Sequence, residues 1–163
     1  MAESGCLKDG HFHNLEVENS VIAKKNFKSI NTSGQNITKN DCGIIFINGS
    51  GSKPNASLAQ AINVQLPAPE TGLHYKFISN ATFSDASSAS FTISIGNNDN
   101  ASFVGQINGS GVNHPTTGTQ KIILKHDAIT GAFIDLNCFV SGDTKIWHVS
   151  GSTNSASGVE YDP

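Results

Sequence analysis

The stretch from Ala61 to Ile78, AINVQLPAPETGLHYKFI, restricts the folding options of this chain more than any other. Ile62, Val64 and Leu66 alternate with Asn63 and Gln65, the two-residue period of a strand buried on one face. Pro67 and Pro69 lack a ladder donor and hold the residue before each in extended geometry, so the strand has to end there. Gly72 suits a turn position with positive φ, after which Leu73, Tyr75 and Phe77 restore the alternation. The reading is strand, proline-stiffened corner, strand, and it forms a central hairpin for the rest of the chain.

The same punctuation recurs on both sides of it. Val21 to Ile30 reads as a first strand, Ile44 to Asn48 as a short buried one, and Ser90 to Ile95 alternates cleanly on Phe91, Ile93 and Ile95. Ala101 to Ile107, Gln120 to His126, Ala132 to Val140 and a last strand around Trp147 follow. Asp127 to Gly131 reads as a hairpin turn, and Asn108 to Gly118 as a long loop at a tip. Thr38 with Asp41 three residues on has the pattern of a capping box for one helical turn, closed by Gly43. Ser57 to Ala61 is suited to a further turn of helix. No apolar stripe at helical spacing persists over three turns, and no repeat of fixed period is visible. The expected fold is therefore all-β, a single-domain β-sandwich or barrel with jelly-roll-like or Greek-key connections. Residues 1–20 read as a flexible N-terminal arm and residues 21–163 as the β-domain.

Composition narrows the function classes. Only 14% of the 163 residues are charged, against about a quarter in an average domain, so the surface must be built from hydroxyls and amides. A formal net charge of −3 lacks the basic footprint that a general nucleic-acid binder needs to displace counterions. Lys24, Lys25 and Lys28 form the one basic cluster and read as a solvated segment. No apolar run approaches the roughly 18 residues that span a bilayer, and the N-terminus has no signal-peptide pattern, so no membrane partner is expected and synthesis is placed in a cytoplasm. The Asn-x-Ser/Thr sequons follow from the composition and carry no expectation of glycosylation.

Chemistry-bearing residues are scattered. His11 and His13 share one side of an extended segment, half of a metal site, but no Asp, Glu or Cys nearby completes it. His74, His114, His126 and His148 fall on different strands or loops. Asp85, Asp99, Asp127 and Asp135 supply carboxylates without a recognisable pair, and no serine stands in a nucleophile elbow. No catalytic residue, cofactor site or metal site is expected. Trp147 reads as a core residue of its strand, beside Phe77 or Phe91. Of the three cysteines, Cys138 falls on the inward side of its strand and reads as a buried free thiol, whereas Cys6 and Cys42 read as accessible.

The order of these motifs carries a resemblance. The apolar strand, LPAP, a glycine turn and LHYKFI, then the run Lys145-Ile146-Trp147-His148-Val149-Ser150-Gly151 with a Ser/Gly/Asn tail ending Asp162-Pro163, resembles the small decoration, cement or head-fibre proteins on the capsids of tailed phages. With the Asp41-Cys42-Gly43 corner, the likeness spans roughly residues 36 to 163. It implies a non-enzymatic virion protein that binds the major capsid protein on the outer capsid surface, made in the host cytoplasm and assembled as a homotrimer at local three-fold junctions. A closed trimer would also bury strand edges that little charge protects. Phe12, Leu15 and Val17, which have no place in the alternating core, are the expected capsid or subunit contacts. Cys6 and Cys42 are the candidates for an intersubunit disulfide. The alternative reading is a receptor- or glycan-binding β-domain on a virion or cell surface, using the loops Gly49 to Ser57 and Asn108 to Gly118; an exposed Trp147 or Tyr75 beside them would favour it.

Overall fold

The computed structural model describes residues 26–48, 57–58, 61–83, 89–96, 100–110, 112–125, 128, 130–153 and 155–162. Within them the chain forms the expected all-β sandwich, with mixed sheets. Strands are numbered in chain order. One sheet has seven, in the spatial order β1 (Asn26–Ile30), β3 (Gly43–Ile47), β6 (His74–Ser79), β12 (Phe133–Ser141), β13 (Thr144–Ser152), β9 (Ala101–Gly109) and β10 (Val112–Thr119). The other has five: β14 (Val159–Asp162), β11 (Lys121–Leu124), β8 (Ser90–Ser94), β5 (Ala61–Gln65) and β2 (Gln35–Asn36). Two short strands, β4 (Ser57–Leu58) and β7 (Thr82–Phe83), pair with each other.

The first half of the chain is wound as a coil. β1, β3 and β6 lie side by side and parallel in the larger sheet, and β2, β5 and β8 do the same in the smaller one. Because β2 comes between β1 and β3, and β5 between β3 and β6, the chain crosses from sheet to sheet at each step. Parallel neighbours cannot be joined by a tight turn; here the crossover is a strand of the opposite layer rather than a helix. β4 and β7, on successive crossings, are themselves parallel. From β9 onward hairpins take over: β9 with β10 and β12 with β13 are antiparallel, while β13 lies parallel to β9.

This route corrects several expectations. The segments flanking Pro67 and Pro69 are strands as read, β5 and β6, but they do not pair as a hairpin. They belong to different sheets, and the proline corner carries the chain across between Leu66, whose amide donates to Ser94 O at 2.9 Å, and Leu73. Two stiff residues without donors suit a layer crossing better than a ladder. Residues 127–131 likewise join β11 of one sheet to β12 of the other, not a hairpin. Most of the expected tip loop, Asn108 to Gly118, is ladder: it contains the end of β9, a turn at Ser110 (φ 43°) and most of β10. Threonine favours strands, and an edge strand tolerates the proline at position 115. Ser57–Leu58 is a strand rather than the start of a helical turn. The single helical turn is present as a 3-10 turn, Lys39–Asp41.

The core lies between the sheets. Ile45, Phe77, Ile134 and Ile107 lie on the inner face of the larger sheet and Ile62, Phe91, Ile93 and Ile122 on that of the smaller, all fully buried. Phe77 meets Phe91 across the layers with ring centroids 5.8 Å apart, and burying each such ring contributes about 2–3 kcal/mol. Trp147 is fully buried as expected, although the aromatic ring against it is Tyr75, at 5.8 Å.

Candidate functional site

The outer face of the seven-stranded sheet is where this molecule presents distinctive chemistry. Odd positions of β12 point outward, and register places Phe133 beside Ile78, Asp135 beside Lys76 and Asn137 beside His74 on β6. On the other side, Asp135 is opposite Ser150 and Asn137 opposite His148 of β13. The centre of the face is thus polar. His74 Nε2 lies 2.9 Å from Asp135 Oδ1, and Asn137 Nδ2 donates to the same oxygen at 3.1 Å.

This cluster orients an imidazole but does not aim a nucleophile. Acyl transfer by a serine needs its hydroxyl against the imidazole, with the carboxylate on the far ring nitrogen. Here Asp135 sits between: Ser150 is on β13, one strand beyond Asp135, and His74 is on β6. Among the described residues no three His, Cys, Asp or Glu side chains converge as metal ligands. Of the expected chemistry-bearing residues, His11, His13, His126, Asp85, Asp99 and Asp127 lie outside the described residues, as do Phe12, Leu15, Val17 and Cys6. The structure brings Asp135 together with His74. Nothing in the sequence pattern pairs them, since they are 61 positions apart.

Apolar groups flank the polar centre at both ends. Among the described residues, the exposed large hydrophobics are Phe27, 66% exposed, and Phe139, 48% exposed. Both belong to this face. Phe27 stacks on Phe46 with centroids 6.1 Å apart and planes 12° from parallel, and Phe139 is opposite Ile146. Lys76 Nζ lies 4.7 Å from the centroid of the Phe133 ring, a cation–π contact that borders the first group. Trp147 and Tyr75 are both fully buried, so neither offers a ring for sugar stacking.

At the open end of the coil, beyond β1 and β2, the inner side is closed by charge. Lys28, opposite buried Ile45, donates from Nζ to Asp41 Oδ2 at 2.8 Å and to Asn36 O at 3.3 Å. Asp41 also accepts from the Thr38 amide and hydroxyl, each at 2.8 Å. Partial burial raises the Asp41 carboxyl, but the bonds from Lys28 and Thr38 outweigh it and leave the carboxyl below its ordinary value. Lys28 is therefore a half-buried, bonded residue rather than part of a solvated cluster. An inward lysine on an edge strand also discourages further strands from stacking there.

The cysteines divide partly as read. Cys138 is a buried free thiol, pushed up by desolvation. Cys42, read as accessible, is half-buried and packs against the core. Burial also pushes Tyr75 up, and its hydroxyl, beside Cys42, donates to Thr38 O at 3.0 Å.

Together the fold and this face define a two-layer all-β module with an amphipathic outer sheet. Compared with known proteins, the sequence matches no family model, and no curated protein or solved structure is significantly similar to it.

Proposed function

We propose that this chain is a non-enzymatic structural module of a tailed-phage virion that binds the outer surface of the capsid and stabilises it, with the major capsid protein as partner. The observation that carries this reading is the placement of Phe27 and Phe139 on one outer sheet face that has little charge of its own. Exposed aromatic rings beside satisfied polar groups favour a protein interface. The motif resemblance supplies the virus and the location, host-made and displayed on the capsid. Binding across capsomer junctions stabilises the assembled shell by mass action, with no chemistry required of the module. Phe12, Leu15 and Val17 add apolar contacts from the N-terminal side, and a homotrimer is the working form.

The test is co-sedimentation of the full chain with emptied capsids of its source virus. Saturable binding is expected, and Phe139→Ser should weaken it about 10-fold or more, as removal of a buried aromatic anchor does. A folded wild-type protein that fails to bind emptied or expanded capsids overturns the reading. Sedimentation of the free protein and density on the capsid, each showing monomer only, would overturn the trimer.

A further inference from the structure

We propose that the capsid surface seated on Phe139 is uncharged where it meets His148, so that attachment requires this imidazole to be neutral and weakens as the medium turns acid. The inference rests on the capsid reading and deepens it, naming the chemistry of the partner surface and a proton as its regulator.

Register puts His148 inside the apolar group at the Phe139 end of the outer face. On β13 its same-face neighbours are Ile146 and Ser150. On β12 it is directly opposite Asn137, with Phe139 and Asp135 on the two diagonals. On β9 it lies beside Val104, with Ser102 and Gln106 on the diagonals. His148, Asn137 and Phe139 are exposed, while Ile146 and Val104 are half-buried. Side chains on one face of adjacent strands stand about 5–8 Å apart. A partner that buries the Phe139 ring and Ile146 therefore covers His148 too.

Charge on the flanking strands decides what that cover costs. Asp135 is the one charged group that β12 and β9 set against His148, and its Oδ1 already accepts from Asn137 and faces His74 Nε2 at 2.9 Å. Lys76 is two strands away, over the Phe133 ring, and Lys145 alternates to the other face of β13. An apolar cover thus strips water from an imidazolium at position 148 without supplying a counter-ion, and burial disfavours the charged form of histidine. His74 differs, because a proton on it is paired with Asp135 within the module. A partner carboxylate opposite His148 would be buried unpaired whenever the imidazole is neutral. Beside Phe139, Ile146 and Val104, an uncharged surface is the better complement, as in the charge-depleted cores of protein interfaces.

Co-sedimentation of the full chain with emptied capsids of its source virus, at about pH 7.5 and about pH 5.5, tests this. An imidazole in water is neutral about one time in ten at the lower pH, so the apparent Kd is expected to rise about 10-fold between the two. In full-length His148→Gln, uncharged at both pH values, the ratio of the two Kd values should fall to about 1 whatever the absolute affinity, and in His74→Gln it should persist. A wild-type ratio near 1 overturns the inference, and so does tighter binding in acid, which would place a carboxylate opposite His148. A ratio that persists in His148→Gln also overturns it, since the capsid or another group then titrates. Calorimetry of wild-type attachment near neutral pH, in two buffers of unequal ionisation enthalpy, needs no variant: proton release is expected, and no release or uptake overturns the inference. Failure of the wild type to bind at the higher pH overturns the capsid reading itself, whereas intact binding with a flat pH profile sinks this inference alone.

Discussion

Gly151 stands where a side chain has no room. A β-carbon built there lies 2.3 Å from Phe133 O on β12, far inside contact distance, and one at Gly105 on β9 lies 2.0 Å from Val149 O on β13. These two glycines let β12 and β9 pack closely against β13, the Trp147 strand. Neither is a turn residue, so the usual reading of glycine as punctuation does not find them. Gly151→Ala is expected to lower stability by about 2–3 kcal/mol, in the range of overpacked cores. Ser150→Ala, exposed on the opposite face, should stay within about 0.5 kcal/mol of wild type. Urea denaturation of both variants checks this, and equal midpoints would refute the steric argument.

At the scale of elements, the first turn of the coil depends on a clamp. Lys28 and Asp41, with side chains 28% and 21% exposed, tie β1 to the 3-10 turn, and Asp41 gathers Thr38 as well. Because the Asp41 carboxyl is lowered in the folded state, the unfolded chain takes up its proton first as pH falls. The clamp's contribution is thus complete above the ordinary carboxylate value near pH 4 and is lost as pH falls through the lower, folded value. Asp41→Asn should cost about 1 kcal/mol at pH 7, and the deficit should shrink below about pH 4. A deficit that is unchanged at pH 3 would assign the loss to something other than charge. This turn was legible beforehand because Thr38 and Asp41 are local. So were the strands themselves, wherever apolar residues alternate: Ile62 and Val64, Phe91 and Ile93, Ile134 and Leu136 are all buried. Strand partners were not. The coil crosses layers at irregular intervals, 17 residues from Phe27 to its neighbour Ile44 and 32 from Ile44 to Lys76, so no fixed period marks it. The outer face was illegible for the same reason, since His74 and Asp135, or Phe27 and Phe46, meet only once the register is set.

The whole molecule combines a coiled, parallel half with a hairpin-rich half, and the question is whether these are separable. Both large sheets run through both halves: β6 of the coil pairs with β12, and β8 pairs with β11. Phe77 and Phe91 belong to the coil, yet Phe77 is also opposite Ile134 and Phe91 opposite Leu124. Tyr75, on β6, packs against Trp147 on β13. Buried residues of both halves form one continuous core. Removing either half would strip a full-length strand neighbour and its apolar cover from the other, a loss larger than the roughly 5–15 kcal/mol that holds a domain of this size together. A single cooperative transition is therefore expected in urea or guanidinium. The lone tryptophan, Trp147, reports the hairpin side, and far-UV circular dichroism reports strands of both halves. The two curves should superimpose. Two resolved midpoints, with the Trp147 signal changing while part of the β signal persists, would show instead that the coil folds on its own and that the shared sheets are a weak seam.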